Sequence, residues 1–259
     1  MIAAIDVSIG QVAATLVLVA VAIAVSFWQR AGLEEDIVIA VVRSAIQLTA
    51  VGFVIQFIFN QDKITWVIAL ISGMVLFGAF TARGRARGVP NAFQPLLISL
   101  ALAAITTLAL VVALGVFDPK PRFLVPVGGM VVGNSMTAAA VALNRLGDEV
   151  RSSAARIEAT LALGATATQA MLPILRRSLR SAMIPLIDST KTTGIVFFPG
   201  TMVGTLLAGA SPTDAVRLQL ILLWTLLGSV ALAALTAMGL AYRNFFTQAH
   251  QLRDLDPVR

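Results

Sequence analysis

Two charges and four hydroxyls stand together between Ile187 and Gly194, in the order Asp188, Ser189, Thr190, Lys191, Thr192 and Thr193. On a helix, Asp188 and Lys191 lie one turn apart and can pair, and Asp188 shares a face with Thr192. An unpaired charge at the centre of a bilayer costs at least about 2.5–3.5 kcal/mol, so charges placed there must pair or be hydrated. In lipid, this cluster would serve a substrate path, a gate or proton-linked transport. If 194–212 were a short span by itself, the cluster would sit at the membrane surface and offer a contact to another protein. Asn134 is a second candidate, because a buried amide needs partners. With Ser135, Met130, Met136 and Met202 it would offer oxygen and thioether groups to a path. Arg43 and Gln47, four residues apart, share a helix face. Arg43 lies about 9 Å inside its span, where it either snorkels to the interface or pairs within the bundle, with Asp188 as the expected partner. Pro199-Gly200 interrupts an apolar run and predicts a kink that hinges, lines a cavity or is simply absorbed by packing. Gly129 and Gly133 have the spacing that lets two helices approach closely. No side-chain chemistry here amounts to a high-affinity metal site. The chain has no cysteine and one histidine, His250, which excludes disulfides, thiolate ligands and a histidine cluster.

These residues sit in an unusually apolar chain. Of 259 residues, 58% are hydrophobic and 12% charged, and the mean hydropathy is +0.89. Seven apolar runs are long enough to cross a hydrocarbon core of roughly 30 Å: 9–28, 37–59, 64–82, 95–117, 124–143, 182–208 and 215–242. The dyad alternation of a membrane barrel is missing, so the spans are expected to be helices. The run from Ile9 has no preceding Lys or Arg and exceeds a signal-peptide core, so a retained span is expected. With the N-terminus outside, thirteen Lys and Arg fall on the inner side: Arg30, Arg83, Arg85, Arg87, Arg145, Arg151, Arg156, Arg176, Arg177, Arg180, Arg243, Arg253 and Arg259. Lys63, Lys120, Arg122 and Arg217 fall outside. The positive-inside rule therefore predicts N-terminus out and C-terminus in. The net charge of +6 follows this topology, and no nucleic-acid partner is expected. Arg83, Arg85 and Arg87 suit a topogenic role or contact with anionic lipid headgroups. The expected architecture is an all-α polytopic bundle forming one domain over 1–259.

The segment 144–181 carries six arginines between apolar runs. Within it, Leu146, Val150, Ala154, Ile157 and Leu161 form one apolar helix face. A long amphipathic helix over 146–164 is expected, lying on the bilayer or inserted into a partner's groove. Glu158-Ala159-Thr160-Leu161-Ala162-Leu163-Gly164-Ala165 resembles the EAA…G loop of ABC-transporter permeases, which seats on the ATPase subunit. Arg156, Glu158, Ala159, Leu161 and Gly164 are the ATPase contacts this resemblance implies. Five further motifs occur in order: Arg43-Ser44-Ala45-Ile46-Gln47-Leu48, Gly128–Met136, Asp188–Gly194, Pro199-Gly200-Thr201-Met202 and Ala208-Gly209-Ala210-Ser211-Pro212. Over roughly 40–245 the chain resembles the FetB/YbbM family of ABC permeases, a family associated with iron export and with plant aluminium-tolerance subunits. The resemblance implies metal-ion export from an inner membrane, a homodimer of this chain, and a separate ATPase that binds ATP and magnesium. The chain has no G-x-x-x-x-G-K-[ST] of its own, so hydrolysis is expected in the partner and no catalytic residue or cofactor here. Two other classes stand beside this one. One is an ion-coupled secondary transporter using Asp188 and Lys191. The other is a non-transporting scaffold whose loop recruits a soluble factor.

Overall fold

The computed structural model describes residues 8–61, 63–86, 88–247, 249 and 251–253. Arg87, His250 and Arg259 lie outside the described residues. Six helices are long and apolar enough to cross a membrane. The first is Ile9–Gln29, composed of α1 (Ile9–Ala14) and α2 (Leu16–Gln29). The others are α3 (Glu34–Gln61), α4 (Ile64–Arg85), α5 (Phe93–Ala113), α6 (Pro121–Ser152) and α10 (Pro212–Ala241), the last extended by a 3-10 turn to Phe245. Between α6 and α10 lie α7 (Ala154–Ala162), α8 (Ala167–Thr192) and α9 (Gly200–Leu207). Among the described residues there are no strands, only two isolated bridges.

The seventh apolar run, 182–208, is not one helix. α8 stops at Thr192, the chain is irregular through 193–199, and α9 restarts at Gly200. The stop is written in the residues. Gly194 takes φ +85°, a conformation open to glycine. Pro199 lacks an N–H and favours an extended residue before it; it caps α9 itself in extended geometry. The predicted kink is therefore a complete break. The segment still runs the length of the bundle. Near its start, the Thr168 and Tyr242 hydroxyls share a hydrogen bond of 3.1 Å at the end of α10, while at its far end Thr201 donates to Gln219 near the start of α10. Thus α8 and α9 together lie antiparallel to α10, but neither is among the six helices long and apolar enough to cross a membrane.

α6 is the hub, with α4, α5, α8 and α10 packed around it. Val131, Ser135, Ala139, Ala142, Leu143, Leu146 and Val150 make its buried face. This changes the reading of the amphipathic segment. Leu146 and Val150 belong to the last two turns of α6, Ser153 interrupts the helix, and Ile157 lies on the short α7. Leu146, Val150 and Ile157 are all buried in the chain's own core, and Leu161 packs against it. The apolar face closes an internal α6–α7–α8 hairpin and is not free for lipid or for a partner's groove.

The basic ends of the helices are locked by two contacts. A Cβ placed on Gly147 of α6 would lie 2.8–2.9 Å from the backbone of Gly88 in the α4–α5 loop. Asn244 Nδ2 donates to the Pro90 carbonyl at 2.9 Å, tying that same loop to the end of α10. Gly128 makes the close approach in the first half of α6, where its Cβ would meet Ile71 at 2.9 Å. Gly129 has only Met74 near 4 Å and Gly133 has nothing within 4 Å. The G-x-x-x-G pair therefore does not form a tight contact within the chain. α3 stands largely clear, touching the bundle through Ile58 and Ile55 at its far end and through the edge-to-face pair Phe57–Trp66.

Candidate functional site

On the side of α6 that the chain leaves open, Asn134, Thr137, Val141, Asn144 and Asp148 are exposed in steps of three and four residues, with Arg145 exposed beside them, four residues after Val141. This is one helical stripe, about 16 Å long from Asn134 to Arg145. It is polar although it lies on a helix of membrane-crossing length. Two hollows adjoin along it. One, about 210 Å³, lies between Asn134, Thr137 and Val141 of α6 and Ala182, Pro185 and Ser189 of α8. The other, about 370 Å³, lies between Thr137, Val141, Asn144 and Arg145 and the end of α4 at Arg85. They share Thr137 and Val141 and so form one groove from mid-helix to the basic end. Within it, Asn134 Nδ2 donates to the Met130 carbonyl at 2.8 Å and the Thr137 hydroxyl to Gly133 at 3.1 Å.

A third hollow, about 320 Å³, sits at the helix break among Thr190, Thr193, Gly194, Phe198, Met202, Gln219 and Trp224. Ser189 lines the groove and Thr190 this hollow, so adjacent residues of α8 serve both. Irregular backbone at membrane depth is tolerated where it is buried in protein or lines a cavity, and the break meets that condition on one side. Its other side carries Ile195 and Val196, 88% and 75% exposed.

The structure divides the candidate residues among several places. Asn134 lines the groove, and Met202, with Pro199 just before its helix, belongs to the break. Asp188 and Lys191 pair as the spacing predicts, at 3.6 Å, but both are exposed and line neither hollow. Thr192 turns its hydroxyl back to the Asp188 carbonyl. Ser135 is buried, its hydroxyl without a hydrogen-bond partner, on the opposite side of α6 from the groove. Met136 packs toward Gly78 of α4 and Met130 against the Val131–Leu226 cluster. Arg43 and Gln47 are exposed on α3, and Asp188 pairs with Lys191, not with Arg43. Thr137 and Asn144 are not among the residues the sequence marks for a path, Ser189 belongs to the hydroxyl cluster that is so marked, and Arg85 and Arg145 carry only topogenic or, for Arg85, lipid-contact readings. The signal for the α6 residues is the polar periodicity from Asn134 to Asp148, interrupted by Val141.

At the basic end, α7 projects between α6 and α8. Ile157 anchors it, and Glu149 of α6 accepts from both Nε and Nη2 of Arg177 on α8, at 2.9 and 2.8 Å. Arg156, Glu158, Ala159, Leu163 and Gly164 face outward. Leu163 is 89% exposed, and Gly164, at φ +89°, ends α7 in the left-handed turn common after helices. Leu161 turns inward and is half-buried. The tip is thus a small knob with one bare leucine, on a helix that also exposes Arg156 and Glu158.

A bundle with six helices of membrane-crossing length, a break between α8 and α9 and an open polar groove defines a class of multi-pass membrane protein. The family described as "Uncharacterised protein family (UPF0014)" matches residues 9–246, and the chain belongs to it. It is 42% identical to the "UPF0014 membrane protein STAR2" of Oryza sativa subsp. japonica, over 94% of this chain and 85% of that one. It is 39% identical to the "Protein ALUMINUM SENSITIVE 3" of Arabidopsis thaliana, over 93% and 88% of the two chains. It is 36% identical to the "Probable iron export permease protein FetB" of Escherichia coli (strain K12), over 93% of each. No solved structure gives a significant match.

Proposed function

We propose that this chain is the permease subunit of an ATP-driven exporter, forming its single membrane domain and working as a homodimer with a separate cytosolic ATPase. The observation that carries this reading is the polar stripe from Asn134 to Arg145, left open on a membrane-length helix. A polar face of this kind in a membrane faces water, a partner or a substrate. The relation to a bacterial protein named as a probable iron export permease supports iron as cargo. With the basic ends in the cytosol, substrate enters beside Arg85 and Arg145, passes Asn134 and Ser189, and leaves by the helix break at Met202 and Gln219. The α7 knob docks on the ATPase. Because α7 is tied to both α6 and α8, and these two helices are the walls of the groove, movement at the knob reaches both walls at once. Proton-coupled use of Asp188 and Lys191 is less well supported, because that pair faces away from both hollows.

The test is co-purification with the ATPase. Leu163→Asp and Glu158→Arg should each abolish the complex while the chain still inserts and purifies normally. Retention of the ATPase by both variants would refute the knob as its docking site.

A further inference from the structure

Resting on the transport reading above, the chemistry of the groove says more about the form in which the substrate travels. Its mouth is framed by two arginines from different helices, Arg85 of α4 and Arg145 of α6, with the Asn144 amide between them in sequence. Neither arginine takes part in any of the ion pairs among the described residues, where Arg177, Lys191, Arg217 and Lys120 are the cations that do. No carboxylate lines either hollow of the groove. Farther in, the polar groups are the neutral Asn134, Thr137 and Ser189. Among the described residues no three His, Cys, Asp or Glu side chains cluster so as to hold a metal ion. Asp148, the one carboxylate on the exposed α6 stripe, lies a turn outside the mouth and lines neither hollow, so a bare divalent cation would meet two like charges inside the mouth and no anionic ligand deeper in. The 370 Å³ of the mouth falls in the size range of small-molecule sites, more room than a naked ion fills. Paired guanidinium groups suit bidentate recognition of carboxylate or phosphate oxygens.

We infer that the substrate enters as an anion, a metal held in an oxygen-ligated complex of net negative charge, gripped at the mouth by Arg85 and Arg145. The experiment uses the purified full chain in phosphatidylcholine nanodiscs. Binding of ferric citrate is compared with binding of anaerobic ferrous ion by equilibrium dialysis. Ferric citrate should bind at least about tenfold more tightly, and more weakly as salt rises. Arg85→Gln and Arg145→Gln should each weaken it about tenfold or more, the scale of a lost charge-assisted bond. Arg145→Lys should recover part of that loss. Arg180→Gln, a basic residue at the same end but outside the groove, should bind as wild type. Both groove arginines are exposed, so these variants leave the core intact. Ferrous ion binding as tightly as ferric citrate would overturn the inference. So would ferric citrate binding unchanged in both Gln variants. If those variants altered only the retention of added phosphatidylglycerol, the arginines would be a lipid-headgroup site and the inference would again fall. ATP-coupled flux of free ferrous ion would contradict the anion while leaving the transporter reading in place, so the two claims fail separately.

Discussion

Gly147→Ala tests how the basic end of the bundle is held. The added methyl would lie 2.8 Å from the Gly88 carbonyl oxygen and 2.9 Å from its carbon and Cα. Ordinary contact begins near 3.4 Å, so the α4–α5 loop must retreat by about 0.6 Å. All three atoms are backbone, so no side chain can rotate aside. The loop is also held to α6 by the Arg151 Nη2 donation to Gly88 at 3.3 Å and to the end of α10 by Asn244 on Pro90. Overpacking of this kind costs about 1–3 kcal/mol. At about 2–4 °C per kcal/mol for a chain of this size, the melting temperature should fall by about 2–12 °C. Thermal unfolding of the purified protein, followed by tryptophan fluorescence, reads this directly. Gly73→Ala on α4, where nothing lies within 4 Å, supplies the control and should melt at or slightly above wild type. If Gly147→Ala melted with or above its parent, the inferred backbone contact would be wrong.

Other expected outcomes follow from the same packing. Gly128→Ala should destabilise less than Gly147→Ala, because its methyl meets the Cδ1 of Ile71, a side chain that can turn away; the same melting assay ranks the two. Ile157→Ala should cost about 2–5 kcal/mol and weaken ATPase co-purification as well, since it anchors α7, whereas Leu163→Ala should weaken only the co-purification. Glu149→Ala breaks an ion pair that is partly exposed on both sides and should change stability by no more than about 1 kcal/mol. Its effect on ATP-stimulated flux should be larger, because it unties the two walls of the groove; unchanged flux would argue that the hairpin moves independently of them.

Much of this architecture was legible from hydropathy. The long apolar runs became crossing helices because a span with no water must satisfy its backbone internally. The ion pair of Asp188 and Lys191 followed from helical spacing. What the sequence did not reveal was context. The Leu146–Leu161 face has the periodicity of a free amphipathic helix, but periodicity does not say whose apolar surface covers it, and here α8 does. Pro199-Gly200 by itself predicts a kink; the full break at 193–199 arises because Gly194, at φ +85°, and Pro199 block helix on both sides of a short apolar stretch. Gly129 and Gly133 had the right spacing for close packing, yet Gly128 faces Ile71 and they do not. The groove was half visible through Asn134. Thr137 and Asn144 stay hidden in the sequence because their meaning depends on α6 and α8 leaving the stripe uncovered.

The central claim is that ATP hydrolysis by a partner moves substrate along the α6 groove. Its most direct test is iron flux in proteoliposomes containing this chain and its ATPase, for wild type and for Asn134→Leu, with ATP present or absent. Flux should require both ATP and the ATPase and fall at least about tenfold in Asn134→Leu, on the scale expected when a polar contact to substrate is lost. Flux driven by a proton gradient without the ATPase, or flux indifferent to Asn134→Leu, would contradict it.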